Sequence, residues 1–321
     1  VSLEESLYRV ALNVVRVNLG VKSGEKFLVI TDFEKEVIGR ALAKAGSEVG
    51  AETILAVIKP RSRHGEEPPE PIAEMWRHVD VYVAPTKFSL THTAARRRAT
   101  EAGARGATMP GITVEMFLET MTIDYNVVKG YVEKMAAALE DVKEVRVITD
   151  LGTDVKMSVE GRPILRDTGL FTEKGAFGNL PAGEAFIAPV EGSADGVIVF
   201  DGAISGVGQI SKPVRVVVEN GYAVSFEGAE EAKKLEEVLK SVGRREAFNV
   251  AEIGVGCNPA AKIVGNVLED EKVFETVHIA FGDNSTIGGK TVAGVHLDGI
   301  ITKPTLIADG KVLMERGKWR I

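Results

Sequence analysis

The sequence predicts a chain of mixed class, α/β plus α+β: an N-terminal open parallel α/β domain over residues 1–140, then a β-rich catalytic, metal-binding domain over 141–321. Three observations predict it. A length of 321 residues is enough for two hydrophobic cores. Apolar strand runs alternate with helical periodicity up to about residue 115, the pattern of βαβ units. Beyond residue 143 the texture becomes short strands separated by Gly, Pro and Asn turns.

Taken in order, Leu3, Leu7, Val10, Ala11, Val14, Val15 and Val17 repeat at helical spacing over residues 3–19, and Gly20 ends that helix. A turn at 22–25 leads into a strand over 26–31. Asp32 is placed to cap a helix over 34–49, and a strand over 53–58 follows. The Pro/Glu-rich stretch 65–71 reads as a loop before a helix near Trp76, and Val79 to Ala84 as a third, buried strand. A helix over about 91–102, a short strand ending at Met109-Pro110-Gly111 and a bridging helix over about 113–139 complete the first half. The second half shows strands at 145–149, 154–159, 184–189, 196–200 and 214–219, a helix at about 229–242, and strands at 276–281, 293–298 and 305–308.

Composition narrows the function. A net charge of −7 argues against a nucleic-acid binder, and Arg96-Arg97-Arg98 reads as a solvated helix face. The single cysteine, Cys257, excludes an intrachain disulfide or a thiolate metal cluster and reads as a buried structural thiol. No signal peptide or membrane-length apolar run is seen, so a cytoplasmic location is expected. One glutamine beside abundant Glu, Lys and Arg is a thermophilic pattern. The P-loop, dinucleotide-binding, zincin and nucleophile-elbow patterns are all missing.

Six residues stand out as metal ligands: Glu184, Glu252, Glu271, His278, His296 and Asp298, each in a strand-like or Gly-rich segment. In a strand, His296 and Asp298 project from one face while Val295 and Leu297 point the other way. Imidazole and carboxylate together hold divalent ions without cysteine. Singly, each residue also has an ordinary explanation as a cap, a surface charge or a core hydrogen bond. Their recurrence inside apolar strands of one domain favours a site.

Asn179-Leu180-Pro181-Ala182-Gly183-Glu184, Glu252 before Gly254-Val255-Gly256-Cys257-Asn258-Pro259, Asp270-Glu271, His278-Ile279-Ala280-Phe281-Gly282 and Val295-His296-Leu297-Asp298 occur in that order. In this the chain resembles the aminopeptidase T/aminopeptidase S family of metallopeptidases. The resemblance implies a dimeric enzyme with two divalent ions per chain (Zn, Co or Mn) that releases N-terminal residues from peptides with a free N-terminus. It transfers the ligand role to those six residues, with Glu252 as the bridge and Glu184 as ligand or proton shuttle. Where the family places a tyrosine seven residues after the ligand histidine, this chain has Ser285. Losing such an oxyanion donor typically costs about 100-fold or more. The alternative reading is a mononuclear non-haem Fe(II) ring-cleaving dioxygenase of the dihydroxypyridine type, which looks related to these peptidases. His278, His296 and Asp298 could supply its two-His, one-carboxylate set. A third reading is a non-catalytic metal-binding homologue.

Overall fold

The computed structural model describes residues 2–321. The chain forms two compact units, Val1–Lys129 with Thr168–Ala182, and Gly130–Asp167 with Gly183–Ile321.

The first unit is built on a parallel sheet in the order Glu52–Ile58, Lys26–Asp32, Val81–Thr86, Arg105–Pro110, Phe177–Asn179. Its central strands are almost wholly buried, as a parallel sheet covered on both faces requires. The fifth strand lies outside the N-terminal 140 residues, and three paired residues carry no periodic signal of their own. Asp32 holds the turn ahead of the helix Glu36–Glu48 and does not cap it: its Oδ1 accepts the main-chain N–H groups of Glu34 and Lys35, and the N-cap residue, Lys35, makes no side-chain cap bond.

Three expectations need correction here. The first helix ends at Asn13 and widens into a π turn over Val14–Asn18. The single helix expected over 113–139 is broken into Val114–Glu119, a 3₁₀ turn Thr120–Thr122, and Tyr125–Leu139. Ile123 is extended, with ψ 150°, and Asp124 Oδ1 accepts the Asn126 N–H to start the next helix. Arg96 is not solvated. It lies on the inward face of Ala94–Glu101 with Ala95 and Ala99, stacks 3.7 Å over the Phe177 ring, and donates from Nε to the Thr91 carbonyl at 2.8 Å.

The second unit is β-rich. An eight-stranded antiparallel sheet runs Tyr222–Glu227, Val214–Glu219, Asp195–Phe200, Asp154–Ser158, Glu144–Ile148, Thr305–Ala308, Lys311–Glu315, Lys318–Trp319. The helix Glu230–Ser241 packs on its first two strands. A seven-stranded antiparallel sheet runs Gly208–Gln209, Ala203–Ile204, His296–Ile301, Val277–Gly282, Val250–Gly256, Glu184–Ile187, Leu165–Asp167. The two sheets meet where Phe200 packs edge-on against Phe281, ring centroids 6.0 Å apart. Gly299 makes room for that contact, since a Cβ there would overlap the Phe200 ring. This mixed architecture is the class expected from the sequence. Among the described residues no helix is long and apolar enough to cross a membrane.

Candidate metal centre

Four neighbouring strands of the seven-stranded sheet build the site. Residues paired across antiparallel strands share a face. The register pairs Glu184 with Gly256, His278 with Gly254, Glu252 with Ala280, Ala280 with Asp298, and Gly282 with His296. One face therefore carries Glu184, Glu252, His278, His296 and Asp298 over a floor of glycine and alanine. The small residues are a steric necessity: a Cβ on Gly254 would overlap the His278 ring, and one on Gly256 would strike the Val273 carbonyl. The opposite face, with Ile253, Val255, Ile279, Phe281 and Leu297, is buried core. Gly254 and Gly256 lie within the strand Val250–Gly256, so the glycines there serve side-chain clearance.

Two overlapping triads result, Glu184–Glu252–His278 and Glu252–His296–Asp298, with Glu252 common to both. His278 Nε2 lies 3.0 Å from Glu184 Oε2 and 3.2 Å from Glu252 Oε1. His296 Nε2 lies 3.3 Å from Glu252 Oε2 and 3.4 Å from Asp298 Oδ1. Glu184, Glu252, His278 and Asp298 are buried, whereas His296 is exposed and marks the open side of the site.

The donor chemistry fits a divalent ion. His296 Nδ1 is 2.7 Å from the Asp283 carbonyl, which can only accept, so the proton sits on Nδ1. In the neutral ring Nε2 then presents a lone pair to two carboxylates, an arrangement that needs a cation between them. Glu184 Oε2 and Asp298 Oδ1 are buried with no hydrogen-bond partner beyond the imidazole nitrogens just named. Without an ion, protons do the same work. Burial opposes the charged form of His278, but Glu184 and Glu252 outweigh it and hold its pKa well above the ordinary histidine value. Burial likewise opposes charge on His296, and Asp298 and Glu252 raise it. Burial pushes Glu252 up, but the two imidazoles prevail and bring it down to about 2.

Glu271 stands apart from both triads. It follows the short helix Val267–Asp270, not a strand, and its Oε1 is 2.5 Å from Lys272 Nζ. Lys272, unremarked in the sequence, is almost fully buried and also reaches Glu184 Oε1 at 2.5 Å and Asp167 Oδ2 at 3.5 Å. Burial opposes the ammonium, yet Glu184, Glu271 and Asp167 hold its pKa well above the ordinary lysine range. Burial drives Glu271 up to about 8 and Asp167 up to about 6, against the pull of Lys272. A lysine in an acidic run reads as a solvated charge, so only the tertiary structure exposes this group. Ser285 is committed to its own turn, donating from Oγ to Asp283 Oδ1 at 2.6 Å. Cys257 is buried, donates to the Val255 carbonyl, and burial raises its pKa.

Comparison with known proteins adds the family. The family model described as NicX: 2,5-dihydroxypyridine 5,6-dioxygenase matches residues 11–320. The chain belongs to that family. A member of known name, 2,5-dihydroxypyridine 5,6-dioxygenase of Pseudomonas putida, is 24% identical over 196 residues, 56% of this chain and 55% of that protein. The chain thus spans about half the length of the curated relative it matches. Among solved structures, the 2,5-dihydroxypyridine dioxygenase of Pseudomonas putida KT2440 superposes with a TM-score of 0.84 at 18% identity, covering 99% of this chain and 98% of that one. AmpT from Thermus thermophilus superposes with a TM-score of 0.75 at 19% identity, over 100% of both chains. At such identities the superpositions establish a shared fold. The aminopeptidase-like expectation therefore holds for the fold, while the family is the NicX one.

Proposed function

We propose that this protein is a metal-dependent oxygenase that opens a small dihydroxylated aromatic ring such as 2,5-dihydroxypyridine, with a single divalent ion held by His278, His296, Asp298 and Glu252. The observation that carries the reading is the charge balance. Glu252 and Asp298 bring two negative charges to two imidazoles, which one divalent ion neutralises, while Glu184 is drawn at 2.5 Å to Lys272, an ammonium it shares with Asp167 and Glu271. Two histidines and a carboxylate suit Fe(II), and membership in the NicX family supports the same chemistry.

Fe(II) bound there would supply the one-electron chemistry that reaction with dioxygen needs. The chain's own part is to bind, orient and move protons. His296, on the open side, is held by Asp283 so that only Nε2 faces inward. Glu184 is anchored through Oε1 by Lys272, which leaves Oε2 turned towards the site and suited to take a proton from a ring hydroxyl.

A second reading, hydrolysis of N-terminal residues with two Zn, Co or Mn ions, is favoured by one feature: the triads share Glu252, as a bridging carboxylate would be shared. The test is metal content after anaerobic loading, with oxygen uptake on 2,5-dihydroxypyridine beside release of N-terminal residues from unblocked peptides. One iron per chain with oxygen uptake supports the first reading. Two ions per chain with peptide cleavage replaces it by the second.

A further inference from the structure

The first unit holds one buried cation that no carboxylate balances. Its other buried arginine, Arg105, takes both oxygens of Glu25, at 2.9 and 2.7 Å. Arg96 is only 5% exposed, yet among the described residues no carboxylate lies within ion-pair distance of it. Its Nε donates to the Thr91 carbonyl at 2.8 Å and Nη1 to the Thr100 hydroxyl at 3.1 Å, while Nη2 makes no hydrogen bond. The Phe177 ring, its centroid 3.7 Å from Cζ, meets part of the need. None of these partners carries a negative charge, and a desolvated charge ordinarily has one. Burial lowers the pKa of Arg96, the direction an uncompensated cation takes.

Thr91 joins Arg96 to a second free donor. Its Oγ1 and that of Thr108 reach Asn179 Oδ1 at 3.1 and 2.7 Å. The amide oxygen is thereby taken, and Nδ2 has no partner. Asn179 and Phe177 stand two apart on the edge strand Phe177–Asn179, so they share the face that meets Thr91 and Arg96. The Phe177 ring is itself 44% exposed. One face of this strand therefore offers a guanidinium N–H and an amide N–H beside an accessible aromatic ring, and both nitrogens can only donate.

We propose that this face binds a small aromatic acid, its carboxylate on Arg96 Nη2 and Asn179 Nδ2 and its ring against Phe177. A carboxylate supplies the negative charge that Arg96 lacks, and its two oxygens serve both N–H groups. The ring of the ligand gains an aromatic contact that a simple inorganic anion cannot make. All the residues of this site belong to the first unit, and it shares none with the metal centre.

The probe is benzoate, titrated by calorimetry into the wild-type chain, Asn179→Asp and Arg96→Met. Asn179→Asp is the sharper variant, because it sets a carboxylate beside Arg96 without changing the shape of the side chain. Expected are one benzoate per wild-type chain and a loss of affinity of about 10-fold or more in each variant. Without benzoate, the melting temperature of Asn179→Asp should rise, since the buried cation gains a counter-ion. A fall would show that Arg96 was not short of one, and overturns the proposal. No saturable binding to the wild type at about 10 mM benzoate also overturns it. So does binding that survives both substitutions, as it would if benzoate sat at the metal centre. Inorganic phosphate that displaces benzoate at equal concentration shows a general anion site and overturns the assignment to an aromatic acid. Should Arg96→Met fail to fold, Asn179→Asp decides alone.

Discussion

The imidazole of His296 is tied through Nδ1 to the main-chain carbonyl of Asp283 at 2.7 Å, and that one bond decides which nitrogen faces the site. The carbonyl is in turn fixed by the side chain of its own residue. Asp283 Oδ1 accepts from the Ser285 N–H and hydroxyl, and Oδ2 accepts from the N–H groups of Ala293 and Gly294. Asp283→Ala should loosen this turn while leaving every candidate ligand in place. Outer-shell losses of this kind typically cost about 10- to 100-fold in metal affinity. Competition with a chromophoric chelator measures it. An unchanged affinity would mean that the sheet alone orients His296. Ser285→Ala, which removes one of these bonds, should cost less than Asp283→Ala.

Gly254 makes a sharper case, because no polar contact is involved. Its register partner is His278, and the ring lies where a Cβ would sit. Gly254→Ala must push the imidazole away from Glu184 and Glu252 or bend the strand. The expected outcome is loss of metal binding by at least about 10-fold together with a lower melting temperature, since overpacking a buried site costs about 1–3 kcal/mol. A variant with wild-type metal affinity would show that His278 is not a ligand.

The fold and the site were legible to different depths. Alternating apolar runs identify the parallel sheet because each strand is long and buried, whereas Phe177–Asn179 contributes three residues and is found only through its pairing with Arg105–Pro110. Histidines and glutamates stand out against apolar strands, and Glu184, Glu252, His278, His296 and Asp298 do meet on one face. Lys272 misleads for the same reason that Arg96 does. A charged side chain in a polar run looks solvated, and only a specific partner reveals burial: three carboxylates for Lys272, the Phe177 ring for Arg96.

Metal binding should release protons. In the metal-free chain burial opposes the imidazolium forms, yet the surrounding carboxylates raise both His278 and His296 well above the ordinary value. The pairing they provide is therefore fully present below the ordinary histidine pKa of about 6.5 and is lost as pH rises through the folded-state values. Metal requires the neutral rings, so the ion displaces these protons. Apparent affinity should climb with pH through neutrality, about tenfold per unit for each proton released. Titration calorimetry in two buffers of different ionisation heat counts the protons directly. A heat that does not change with buffer would show that both rings are already neutral in the metal-free chain.

Asp270 offers a test of stability away from the triads. Burial pushes its carboxyl up to about 6, although the N–H groups of Val264 and Gly265, both on Oδ1, pull the other way. Because the folded chain holds this proton more tightly than the unfolded chain, its contribution runs opposite to that of a salt-bridged carboxylate. Stability from this group is greatest below the unfolded pKa of about 3.9, is lost as pH rises from there to about 6, and changes no further above it. Asp270→Asn keeps an oxygen to accept both N–H groups and removes the buried charge. Above pH 6 the variant should therefore be as stable as the wild type or more so, and between pH 4 and 6 its stability should rise more steeply with pH, since the opposing titration is gone. Urea denaturation followed across that range measures the slope. A variant that is less stable than wild type at pH 7 would show that the ionised carboxylate, and not merely its oxygen, holds the Val264–Gly265 turn.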